Sequence, residues 1–142
     1  MTTLKGAVAD ADSIQNYLKD DLNVSESRIR NLRDKQATRA AIISEFTALA
    51  SNDVIKHGDP ILIYYAGHGG EAPPPIGWGA GGADSKTQML IPHDYRTKID
   101  DREVHGIPDR TIGALISRIA KSKGDNIVRL VTLFSRLLLT TL

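Results

Sequence analysis

Residues 61–66, Ile-Leu-Ile-Tyr-Tyr-Ala, form an unbroken apolar run that stops abruptly at Gly67-His68-Gly69-Gly70. A β-rich run without polar alternation is what a strand covered on both faces looks like. The stop puts a histidine at the mouth of that strand. In an open α/β sheet, ligands bind outside the carboxyl ends of the strands. The flanking glycines allow close approach of the backbone and leave N–H groups able to polarise a carbonyl oxygen. The same four residues also read as a tight turn carrying a solvated histidine, and spacing alone leaves both readings open.

The rest of the chain supplies helices for such a strand. Ala7, Ala11, Ile14, Leu18 and Leu22 recur in steps of three and four and predict a helix over 7–22. Residues 23–34 are polar and arginine-rich, a short strand or an extended connection. Thr38 caps a second predicted helix with Ile42, Phe46, Leu49 and Ala50 on one face. His57-Gly58-Asp59-Pro60 turns the chain into the apolar run. Residues 71–87 are dense in Pro and Gly and predict a long loop. Met89-Leu90-Ile91 is a short strand stopped by Pro92. Pro108-Asp109 opens a third helix with Ile112, Leu115, Ile116 and Ile119 on its face, and Ile127 to Phe134 closes the pattern as a strand.

Helices alternating with buried strands predict an α/β layer with parallel strands. The 142 residues suffice for one domain with one core. Two main strands and a stub make a thin sheet for three amphipathic helices, so the expected domain is incomplete. A net charge of +1, with basic residues dispersed, gives no reason to expect nucleic acid or a membrane as partner. No early segment has the pattern of a secretory signal, and a cytoplasmic location is the default expectation. No cysteine is present, which excludes disulfides, zinc-thiolate sites and thiol catalysis by this sequence. His57, His93 and His105 each sit beside Gly or Pro and read as polar loop residues. Asp84, Asp100 and Asp101, with Asp94, either gather around a hard cation or keep loops soluble.

Several separated motifs now fall in order. YYAGHGG followed by IPHDY, with LKGAVADAD upstream, resembles the caspase-like cysteine peptidases of metacaspase type, as found in fungi. GIPDRTIGALISRIAKSKGDNI resembles the helix and turn before the family's catalytic-cysteine strand. The match runs from about Leu4 to Ile127, leaving 128–142 as an unrelated tail.

The resemblance implies a caspase-like α/β sandwich with a mostly parallel central sheet, incomplete here at both ends. It implies endopeptidase chemistry in which a cysteine thiolate attacks the scissile carbonyl and a histidine protonates the leaving amine. On this match His68 is the catalytic histidine and the Gly69 N–H an oxyanion-hole donor. Asp10 matches the pocket acid that receives an arginine or lysine before the scissile bond. Its other reading is an ordinary first-turn helix acid. Asp84, Asp100 and Asp101 fall near the acidic ligands of the calcium that metacaspases often need.

The departure from the family is as specific as the match. Where an Asp-Cys-Cys or Asp-Ser-Cys segment is expected, the chain reads Val131-Thr132-Leu133-Phe134-Ser135-Arg136. Ser135 stands near the cysteine's place without the family's flanking residues, and a serine in a site tuned for a thiolate is a poor nucleophile. Such a chain reads as a truncated or misread gene product, or as a degenerate paralogue. Three functions follow: a peptidase-family domain inactive as it stands, a pseudo-peptidase module that binds a related peptidase or a partner strand, or an unrelated ligand-binding α/β domain.

Overall fold

The computed structural model describes residues 6–74 and 85–133. Asp84, Ser135 and most of the Pro/Gly-rich loop lie outside the described residues. The stepped apolar face yields α1 (Ala7–Asn16), which widens into a π-helical turn over Tyr17–Asp21. Ala7, Ala11, Ile14 and Leu18 are half-buried, whereas Leu22 is exposed beyond the helix end. Residues 23–36 are an extended connection with short 3-10 turns at Glu26–Arg28 and Asp34–Gln36, not a strand. Their polar side chains bind α1 instead of a ladder. Asn31 Nδ2 donates to Gln15 Oε1 at 2.7 Å, and Arg33 pairs with Asp12.

Thr38 caps α2 (Arg39–Ser51) as its residue type predicts, its Oγ1 accepting the Ala41 N–H at 3.2 Å. A second acceptor, Asp94 Oδ1, takes the Arg39 N–H at 2.8 Å and ties the helix start to a distant loop. Helix α3 (Asp109–Lys123) begins after Pro108, with Asp109 in its first turn and Lys121 and Lys123 in its last, the arrangement the helix dipole favours. It ends at Gly124, whose φ of +89° suits a residue without a Cβ. The buried Lys123 ammonium donates to the Asn52 carbonyl at 2.7 Å, pinning α3 to the end of α2.

Strands β1 (Ile61–Gly67) and β7 (Ile127–Leu133) pair in parallel, from Ile61 opposite Ile127 to Gly67 opposite Leu133. One face meets α2 and α3. Phe46, Ile61, Ile107, Ile112 and Ile119 form the buried core there, with Ile42, Leu49, Ala50, Ile63, Leu115, Ile116 and Ile127 against it. Each of the five buried side chains contributes roughly 1.5–3 kcal/mol on burial.

The other face departs from the expectation of cover on both sides. Helix α1 packs on β1. Leu62, Val128 and Leu130 nevertheless remain 38, 52 and 45% exposed. Val131, on the opposite face, is also 40% exposed, so among the described residues β7 beyond Ile127 lacks cover on both faces. The α/β class and the parallel pairing of the two long strands are as expected.

A second, antiparallel sheet has the order β2-β3-β6, from β2 (Gly69–Ala72), β3 (Thr87–Leu90) and β6 (Ile107–Pro108). Two expectations change here. The glycine-rich segment after His68 is strand rather than turn, and Met89-Leu90 joins this sheet rather than the parallel one. Between β3 and β6, β4 (Lys98–Ile99) and β5 (Arg102–Glu103) form a small hairpin. No helix among the described residues is long and apolar enough to cross a membrane.

Candidate active site

His68 occupies the single position between the end of β1 and the start of β2. Of the four histidines it alone is half-buried; His57, His93 and His105 are exposed, as their loop settings predict. Its backbone is held firmly. The His68 carbonyl accepts the Ile91 N–H at 3.0 Å. The Tyr65 hydroxyl reaches the same carbonyl at 2.9 Å and the Ile91 carbonyl at 3.0 Å. Burial pushes the Tyr65 phenol up to about 12, against a smaller lowering by the Ile91 backbone, so it stays a protonated donor well above neutral pH.

Gly67 is required by the same side chain. A Cβ at this position would stand 2.5 Å from Tyr65 Oη and 2.7 Å from Cζ. The phenol folds back under the strand end and fills the space. The apolar run thus ends at Gly67 because its own fifth residue, Tyr65, occupies the room a side chain would need. Neither role of Tyr65 is signalled in the sequence, since Ile91 is 26 residues away.

Gly69 opens β2 opposite Leu90, and Gly70 lies over Ile91 Cδ1, 2.9 Å from where its Cβ would be. The segment after His68 is therefore part of a hydrogen-bonded ladder, which fixes the direction of its peptide groups.

Asp10 lies half-buried in the first turn of α1, the helix that packs on β1. Among the described residues its carboxylate has no hydrogen-bond or ion-pair partner, unlike Asp12 on the same helix, which pairs with Arg33.

Asp100 and Asp101 form the exposed tip of the β4–β5 hairpin with φ of 48° and 60°. Asp94 is engaged elsewhere as the α2 capping acceptor. Calcium takes about six to eight oxygen ligands. Among the described residues no group of three or more His, Asp or Glu side chains is clustered for a metal, and Asp84 lies outside them. Beside the hairpin a cavity of about 360 Å³ is lined by Arg39, Ala40, Ile99, Arg102, Glu103, Val104 and His105, and does not include His68.

The parallel register of the two long strands runs as far as Gly67 opposite Leu133, the last of the described residues. The residues that follow in sequence are His68 and Phe134.

A family model for the metacaspase, peptidase C14 domain matches residues 1–120. Metacaspase-1 of Mycosarcoma maydis is 26% identical over 114 residues, covering 77% of this chain and 28% of the relative. The chain thus spans about a quarter of the length of that protein. The crystal structure of protein GSU0716 from Geobacter sulfurreducens superposes with a TM-score of 0.52 at 22% identity, covering 73% of this chain and 32% of that one, a likeness of fold.

Proposed function

The chain belongs to the metacaspase, peptidase C14 family, and from that premise we propose that it carries the histidine half of a cysteine endopeptidase site and does not cleave peptides as it stands. In the family reaction a thiolate attacks the scissile carbonyl carbon. The peptide C–N bond then breaks as the histidine gives a proton to the leaving nitrogen, and water hydrolyses the thioester. His68 takes the proton-donor role and the Gly69 N–H the role of oxyanion donor. Asp10 receives an arginine or lysine side chain, since a half-buried carboxylate with no partner among the described residues favours a cation. Peptides or proteins are the substrate class. The observation that carries the reading is His68 at the end of β1, the strand that pairs in parallel with β7.

The missing element is the nucleophile, for no cysteine occurs in the sequence. The experiment is an assay of the chain on Arg- and Lys-directed peptides, with and without calcium. The expected result is no turnover in either condition. Turnover abolished by His68→Ala would overturn the inactive reading and direct attention to Ser135 or to a nucleophile from another chain.

A second reading is favoured by the exposed apolar face of Leu62, Val128 and Leu130. On it the chain acts as a pseudo-peptidase interaction module for a related peptidase or a partner strand. A monodisperse monomer with cooperative unfolding and no binding to a related peptidase would count against it.

A further inference from the structure

We infer that Tyr65 is the positioning residue for His68: its hydroxyl draws the His68 and Ile91 carbonyls together and so fixes where the imidazole stands at the mouth of β1. The inference rests on the reading of His68 as the working histidine.

Three observations converge. The hydroxyl lies 2.9 Å from the His68 carbonyl oxygen and 3.0 Å from that of Ile91, while the Ile91 N–H closes the triangle on the His68 carbonyl at 3.0 Å. The strand end leading to the histidine and the end of β3 are thereby fastened at one point. Gly67 leaves space for the phenol and for nothing else, because a Cβ there would meet both Oη and Cζ. The phenol also remains a donor well beyond neutral pH, since burial holds it in its protonated form. A hydroxyl suits the place better than an apolar ring. The single phenol proton is shared between the two carbonyls, and without it the Ile91 carbonyl loses a donor while the His68 carbonyl keeps only the Ile91 N–H.

The position His68 must hold is set by its φ and ψ and by the strand ends on either side. A shift of about 1 Å in such a group, made by a residue that touches no substrate, is enough to lose a reaction geometry. Tyr65 acts only through the His68 backbone, so the consequence to measure is the setting of the imidazole.

The test compares the whole chain with Tyr65→Phe and with Tyr65→4-aminophenylalanine, whose NH₂ group again supplies a donor at the ring tip. Nitrogen-15 NMR follows the four imidazoles, and hydrogen exchange follows the Ile91 amide against Ile112 and Ile119 in α3. In Tyr65→Phe the His68 ring resonances move while those of His57, His93 and His105 stay, and Ile91 exchanges at least tenfold faster while the α3 amides hold. The amino variant returns both toward the original values. Unmoved His68 resonances and unchanged Ile91 exchange in Tyr65→Phe would overturn the inference. So would faster exchange spread equally over Ile91, Ile112 and Ile119, or loss of the fold altogether, since either would make the hydroxyl a general stabiliser. None of these readouts needs turnover. Silence in a peptidase assay therefore bears on the function of the site, and the NMR result on Tyr65.

Discussion

Replacing Gly67 by alanine should destabilise the protein, although the backbone argues the other way. Gly67 lies within β1 and is not among the glycines of positive φ, so alanine fits its conformation. On backbone grounds alone such a change stabilises by about 0.4–1 kcal/mol, because the unfolded chain loses freedom. Space decides the sign. The new Cβ would stand 2.5 Å from Tyr65 Oη and 2.7 Å from Cζ, well inside ordinary contact distance. The ring must move by about 1 Å and give up its bonds to the His68 and Ile91 carbonyls. Overpacking costs about 1–3 kcal/mol, and the lost hydrogen bonding about 1 kcal/mol more. The net expectation is a loss of about 2–3 kcal/mol, a fall in Tm of roughly 6–12 °C for a chain of this size. Urea unfolding of Gly67→Ala, Tyr65→Leu and the double variant measures it. The alanine should cost much less on the Tyr65→Leu background, where the phenol tip is gone. Equal cost on both backgrounds, or a Gly67→Ala protein more stable than the original, would refute the reasoning.

The Tyr65 phenol also sets an alkaline limit. Its folded value is about 12 against an ordinary 10, so its contribution is complete below pH 10 and declines as pH rises toward 12. Ultraviolet titration should show one tyrosine ionising late, and Tyr65→Phe should remove that late step. At the β4–β5 hairpin, Asp100 and Asp101 hold φ of 48° and 60°, the pattern of a two-residue turn in which Asn-Gly is favoured. The double change Asp100→Asn, Asp101→Gly should stabilise by about 0.5–1 kcal/mol, read as a higher midpoint in urea, by easing left-handed strain and removing adjacent like charges. An unchanged midpoint would show that the strain is relieved elsewhere.

Much of the fold is legible because its periodicity is strong. The faces of α2 and α3 are those that fill the core, and Thr38 and Pro108 mark their starts. The strand Ile61–Gly67 is declared by its apolar run, and its parallel partner follows the turn after α3. What is not legible depends on pairing. The Gly-Gly-Glu-Ala strand has neither β-branched nor aromatic residues and exists because Leu90 and its neighbours pair with it. The turn at Asp100-Asp101 lacks the glycine that usually announces it. The exposed Val128 and Leu130 look like core residues in the sequence, since a run of letters does not show whether anything packs on them. His68 stands out through its flanking glycines, and the motifs upstream and downstream place it in a family. The clamp beneath it joins carbonyls from two separate strand ends, and only the folded chain brings those together.

The account turns on whether the group that follows β7 meets His68. The chain has no cysteine, so Phe134→Cys introduces a single thiol whose titration can be followed by the pH dependence of its alkylation. Coupling to the His68 imidazole should make that thiol ionise below its ordinary value of about 8.5, and His68→Ala should return it to about 8.5. A thiol that titrates identically with and without His68 would contradict the account.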